Sequence, residues 1–420
     1  MFNKLKIDAF TKNIILVFMG TFLVNSFNLA YQLLIAHKLT PSDFAAFNSL
    51  LAILMLVSTP LGTLQTAVVK YSAEFNAQNQ IKKIKVLLSC LLRKTIFLSI
   101  LTFLIFYSIS FYILDRLRIP SVTSGYILAI LLALSCISPV FSGALQGLEL
   151  FKWLMSVSVI TGLLKLILAF IFILLGFNVA GALGALLVSS IIGLISSYFP
   201  LKDFLSFKTI QDGINFKEIF LYLLPVAISY FCFIALVSFD MVLVKYFFIP
   251  EDSGLYSLAQ MVGKIFLFLP GAISIVMFPK ISGLKAKNMD ATSTLKRSLL
   301  YASILCIIAS LVYNAFPAFV LRVLTGKVFF ESIILGRLFS VSMSFFALLY
   351  ILIVYFLSVS DLRFIKYLVL FTFLQGLAIV LFHRSLIQVQ FILCIDAILL
   401  FAIHLLLAYK KGTHPSPIAN

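Results

Sequence analysis

The chain has 420 residues, of which 62% are hydrophobic and only 11% charged, and it carries a formal net charge of +17. A soluble domain is roughly 25% charged, so this composition excludes an ordinary soluble globular protein and points to one that crosses a membrane many times. In such a chain the positive charge is mainly a topology signal with a secondary attraction to anionic lipid headgroups, not the footprint of a nucleic-acid binder.

A helix that spans the hydrocarbon needs about 20 mostly apolar residues. Cutting the apolar runs wherever charges and Pro, Gly or Asn clusters interrupt them predicts twelve spans, at 13–36, 43–69, 91–114, 121–147, 153–175, 179–200, 217–247, 252–280, 298–324, 331–357, 364–382 and 386–409. They leave no room for a soluble domain. The basic start, "MFNKLKIDAFTKN", leads into a run too long for a signal-peptide core and shows no small-residue cleavage site, so it reads as retained.

Short loops rich in Lys and Arg stay cytoplasmic. With both termini inside, 22 Lys/Arg fall on the cytoplasmic side and 7 on the other, namely Lys38, Arg116, Arg118, Lys245, Arg322, Lys327 and Arg384. The remaining three, Lys165, Lys264 and Arg337, fall inside spans. A lysine at the bilayer centre costs about 3 kcal/mol even on the lenient insertion scale, so it is expected to face protein or a wet cavity. Lys165, in "GLLKLILAFIFILL", is too deep in span 5 to snorkel out. Lys264 is equally central in span 8 with Gln260 one turn away, whereas Arg337 sits nearer the outer end of span 10.

In span 1, Asn25, Asn28 and Gln32 are spaced three and four apart and so share one helical face. Acidic residues deep in spans are confined to the second half, at Asp240 in span 7 and Asp396 in span 12. Either of these is a candidate charge partner or ion-coupling group. The five cysteines are scattered without metal-ligand spacing, and no catalytic triad, phosphate-binding glycine loop or cofactor motif is visible. His404 on an apolar helix reads as packed or hydrogen-bonded rather than as a ligand.

The chain also repeats itself. Pro41, Asp43, Phe47 and Gly62 recur as Pro250, Asp252, Tyr256 and Gly271, each 209 positions later. In each copy Pro and Asp suit an outer turn followed by a helix N-cap. The glycine lies deep in the helix beside Pro60 or Pro270, a combination that kinks or hinges a membrane helix. The spans then divide into an N-terminal lobe (1–200) and a C-terminal lobe (217–420), six spans each, joined by a cytoplasmic linker at 201–216. An even number of spans per half makes this a parallel repeat about an axis along the membrane normal.

The stretches "LTPSDFAAFNSLLAILMLVSTPLGTLQTAVVKY" and "FDMVLVKYFFIPEDSGLYSLAQMVGKIFLFLPGAISIVMFPKIS" resemble the first helical pair and the seventh and eighth helices of the oligosaccharide flippases. These belong to the multidrug/oligosaccharidyl-lipid/polysaccharide (MOP) exporter superfamily. The resemblance implies an all-α polytopic fold, twelve helices in two six-helix lobes around a central cavity, as in the MATE transporters. With fewer spans than the lipid II flippases, the chain is most similar to the O-antigen, capsule and exopolysaccharide branch. The resemblance further implies that an oligosaccharide on undecaprenyl diphosphate is moved outward across the bacterial inner (plasma) membrane by alternating access. Its implied partners are that lipid-linked oligosaccharide, the bilayer and polysaccharide polymerase or chain-length machinery, with no cofactor.

A cation deep in the first lobe with no resident anion suits a visiting one such as a diphosphate. Lys165, Lys264, Arg337, Asn25, Asn28, Gln32 and Gln260 are therefore the candidate cavity residues, and Pro60, Gly62, Pro270 and Gly271 the candidate hinges. The amides of span 1 either bond sugar hydroxyls or hold helices together. Two rival classes remain. An ion-coupled multidrug exporter of the same superfamily would share the layout, but the resemblance implies an acidic site in the first lobe that this chain lacks. A membrane polysaccharide polymerase would need a substantial outer loop, and the longest one here is about six residues. The chain is accordingly read as a non-enzyme.

Overall fold

The computed structural model describes residues 9–205 and 216–409, with positions 269–288 included only in part. Among the described residues the protein is helical throughout. In chain order the helices are α1 (Ala9–Lys38), α2 (Pro41–Ala77), α3 (Ile81–Arg116), α4 (Val122–Gly147), α5 (Phe151–Leu174), α6 (Asn178–Leu201), α7 (Phe216–Phe247) and α8 (Pro250–Phe268). After the partly described stretch come α9 (Thr292–Ala315), α10 (Pro317–Thr325), α11 (Phe330–Ser358), α12 (Ile365–Leu381) and α13 (Leu386–Tyr409).

Ten helices among the described residues, α1–α7, α9, α11 and α13, are long and apolar enough to cross a membrane. The other two expected spans are represented by α8, described for 19 residues, and α12, an apolar helix of 17. Two expected boundaries are corrected. The ninth span was expected to run to residue 324, but α9 stops at Ala315 and the short α10 follows. Pro317 explains this, because a residue before proline is pushed out of the helical region, and Phe316 takes φ −130°, ψ 53°. In the other correction, α2 and α3 are 37 and 36 residues long. At 1.5 Å per residue each is roughly 55 Å, well beyond a hydrocarbon core of about 30 Å.

The expected N-cap of the first repeat is present. Thr40 Oγ1 accepts from the Asp43 amide at 3.1 Å and donates to Asp43 Oδ2 at 2.8 Å, with Pro41 opening α2. In the second repeat α8 opens on Pro250 with Glu251 and Asp252 in its first turn, where acidic side chains complement the helix dipole.

The chain divides into two compact units. The first comprises residues 1–227 and 248–254, and the second residues 228–247 and 255–420. Within the first, α4 is the central helix, packed on α2, α3 and α6, while α5 packs on α1 and α6. Gly143 and Gly147 set the α2–α4 spacing. A Cβ at Gly143 would lie 2.9 Å from Gln65 O, and one at Gly147 2.8 Å from Val69 O, so only glycine permits this approach. Around it Ala67, Val68, Leu87, Leu88, Val140 and Leu145 form a buried apolar cluster. Within the second unit α11 takes the central place, packed on α9 and α13, and buries Phe339, Phe346, Leu349 and Leu352 completely. The most buried span of each unit is thus the fourth of its half, α4 and α11. Lys245, which the charge pattern placed at an outer helix end, is 1% exposed.

Candidate functional site

The first unit has a partly open cavity of about 450 Å³ between α1, α2, α4, α5 and α6. Lys165 and Asn28 lie on its wall. Lys165 is 14 residues from the start of α5 and 9 from its end, so the ammonium sits at roughly 21 and 14 Å along the helix axis from the two ends. Its Nζ donates to Asn28 Oδ1 across the α1–α5 contact and lies 4.7 Å from the centroid of the Tyr31 ring. A ring face attracts a cation through its quadrupole. Tyr31 is itself fixed, because its hydroxyl donates to Ala182 O in α6 at 2.9 Å and its ring meets Phe47 of α2 edge-on at 6.1 Å. Lys165 is therefore held by an amide oxygen and a π face. Among the described residues no carboxylate pairs with it, in contrast to Arg363, which pairs with Asp361 at 2.7 Å in the α11–α12 turn.

The rest of the cavity wall is rich in hydroxyls. On α4 these are Ser135, Ser138 and Ser142, and on α5 Ser158 and Thr161. α6 contributes Ser189, Ser190 and Ser197. Sequence reasoning passed over them, because a serine in an apolar helix carries little propensity signal of its own. The signal available was spacing. Ser135, Ser138 and Ser142 stand at i, i+3 and i+7, and so do Ser158, Thr161 and Lys165.

Of the amides of span 1, Asn28 reaches the cavity, while Asn25 and Gln32 do not line it. Asn25 is exposed and Gln32 half-buried.

Lys264, Gln260 and Asp240 fall in the second unit, in a buried polar network. Asp240, 0% exposed, accepts from the Tyr256 hydroxyl at 2.7 Å and from Gln260 Nε2 at 3.2 Å. Tyr256 in turn accepts from Gln390 Nε2 of α13 at 2.9 Å. The Lys264 ammonium acts electrostatically on the Asp240 carboxylate. Gln260 and Asp240 are thus engaged with protein partners, and neither Tyr256 nor Gln390 was foreseen in this role. Asp396 is 7% exposed, and its Oδ2 has no hydrogen-bond partner among the described residues. Arg337 is exposed and its charge acts on Tyr313. His404 is fully buried, its Nδ1 2.8 Å from Leu400 O and its ring against Phe356 and Phe364, the packed role expected of it.

Pro60 lies inside a continuous α2, and a Cβ at Gly62 would meet nothing within 4 Å. Pro270 and Gly271 lie outside the described residues. The described residues hold no cluster of His, Cys, Asp and Glu able to bind a metal ion.

The helical fold is similar to that of solved transporters of the MOP superfamily. An inward-facing multidrug resistance MATE transporter of that superfamily superposes with a TM-score of 0.73 at 15% identity, over 92% of this chain and 96% of that one. The lipid II flippase MurJ in an inward closed conformation gives 0.70 at 14% identity, over 94% and 88%. An outward-facing MATE transporter gives 0.61 at 16% identity, over 94% and 92%. Comparison with curated protein sequences finds no significant match. The family model described as "Polysaccharide biosynthesis protein" matches residues 10–285, and the chain belongs to that family.

Proposed function

We propose that this protein is a flippase that carries an undecaprenyl-diphosphate-linked oligosaccharide from the cytoplasmic to the outer face of the bacterial inner (plasma) membrane. In this reading both termini are cytoplasmic, two six-helix lobes alternate access, and the product feeds surface polysaccharide assembly. The observation that carries it is Lys165, a cation deep in the bilayer on the wall of a cavity, held by Asn28 and Tyr31 and paired with no carboxylate among the described residues. A fixed cation so placed recovers its desolvation cost when an anion arrives. The diphosphate of a lipid-linked sugar is such an anion, and membership of a polysaccharide-biosynthesis family supports that choice.

The superfamily relation to a multidrug transporter supports a second reading, ion-coupled export of small molecules. It is the weaker one, because among the described residues the cavity wall carries a cation and no carboxylate. Deleting the gene in a strain without a redundant flippase separates the two. Accumulation of lipid-linked oligosaccharide on the cytoplasmic leaflet, with loss of surface glycan, supports the flippase. Normal surface glycan contradicts it.

A further inference from the structure

The cavity has one property that an anion site alone does not require, which is a wall of hydroxyls on three consecutive helices. Ser135, Ser138 and Ser142 of α4 repeat at i, i+3 and i+7, and Ser158, Thr161 and Lys165 of α5 repeat the same interval, so each set occupies one helix face. Several of these hydroxyls have already spent their proton. Ser142 donates to Ser138 O at 2.7 Å, Ser158 to Leu154 O at 2.8 Å and Thr161 to Val157 O at 2.8 Å. A hydroxyl bonded back to its own helix keeps its oxygen lone pairs as acceptors. The wall therefore offers acceptors, and the charged donor, Lys165, stands beside them on the same helix. From Leu154 to Lys165 the track runs 11 residues along α5, about 16 Å.

A ligand that complements this wall carries several hydrogen-bond donors directly beside an anionic group. We infer that the cavity is a glycosyl-phosphate subsite, in which sugar hydroxyls donate to Ser142, Ser158 and Thr161 while the phosphate meets Lys165. The inference rests on the flippase reading above and deepens it by giving the saccharide its own contacts. At about 450 Å³ the cavity has the size of a small-ligand pocket, roughly 300–1,000 Å³. It thus has room for a phosphate and the sugar next to it.

Small residues also serve helix packing in membranes, so the test must remove hydroxyls without changing shape. The Ser142→Ala/Ser158→Ala/Thr161→Val variant does so and retains good helix formers at the two serine positions. The full-length protein in lipid nanodiscs is titrated calorimetrically with two probes: a short-chain prenyl diphosphate, and the same molecule bearing one sugar. The expected result is a loss of tenfold or more in affinity for the glycosylated probe, with the bare diphosphate unchanged. Equal affinity of variant and native protein for both probes, or equal weakening of both, overturns the sugar assignment. The Lys165 reading then stands if Lys165→Gln weakens both probes. It fails together with the subsite if the native protein binds neither probe or if Lys165→Gln changes neither. If the triple variant does not accumulate, Ser158→Ala and Thr161→Val singly carry the same comparison.

Discussion

The Asp240 carboxylate accepts a 2.7 Å hydrogen bond from Tyr256, and the positions 209 residues earlier, Tyr31 and Phe47, meet edge to face at 6.1 Å. The same two places in the repeat are in contact in both halves, once through a hydrogen bond and once through rings. In each case the aromatic of the repeated motif fastens the second helix of its half to the first. The halves have since diverged in polarity, since one copy of the pair supports a cation and the other anchors a carboxylate.

That contact carries a stability prediction. Tyr256→Phe removes a 2.7 Å hydrogen bond to a fully buried carboxylate, which should cost about 1–3 kcal/mol. The thermal midpoint of the purified protein in detergent should fall, and Asp240→Asn combined with Tyr256→Phe should cost less than the sum of the single changes. An unchanged midpoint in Tyr256→Phe would show that the bond holds nothing together.

The α2–α4 contact predicts a steric failure. Gly143→Leu and Gly147→Leu each drive a side chain into the α2 backbone, where a Cβ alone would already lie within 3 Å of a carbonyl oxygen. Both variants should accumulate poorly in the membrane, whereas Gly62→Leu, whose Cβ meets nothing within 4 Å, should accumulate normally. Membrane protein levels read by immunoblot check the contrast.

Gly62 also tests the proposed hinge. Since the structure leaves room for a side chain there, a transport defect in a Gly62→Leu variant that still inserts would be assigned to bending at Pro60 rather than to packing. Full glycan export by that variant would reduce these residues to features of static structure.

How far the sequence could be read depended on whether a residue's meaning was local. Lys165 was conspicuous alone, because an unpaired charge in an apolar run is expensive wherever the helix sits. Ten membrane-length helices among the described residues were legible from apolar length, and the break at Phe316–Pro317 was written in the chain as well, but hydropathy averages across it. Ser142, Ser158 and Ser189 were not legible, since a hydroxyl means little until three helices turn the same face to one space. Nor was Gln390, whose partner Tyr256 lies 134 positions away.

The most direct test of the account is surface glycan measured together with membrane protein level across a Lys165 series. Lys165→Arg should keep much of the export, because charge is retained although the guanidinium differs in shape and hydration. Lys165→Gln should lose most of it at normal protein level, a neutral side chain being cheaper to bury than a charge. Lys165→Glu should be the most defective, since it presents a like charge to the diphosphate. A purely structural lysine predicts instead that Lys165→Gln lowers the protein level and that a second change at Asp240 or Asp396 restores it. Full glycan export by Lys165→Glu at normal protein level would contradict the account outright.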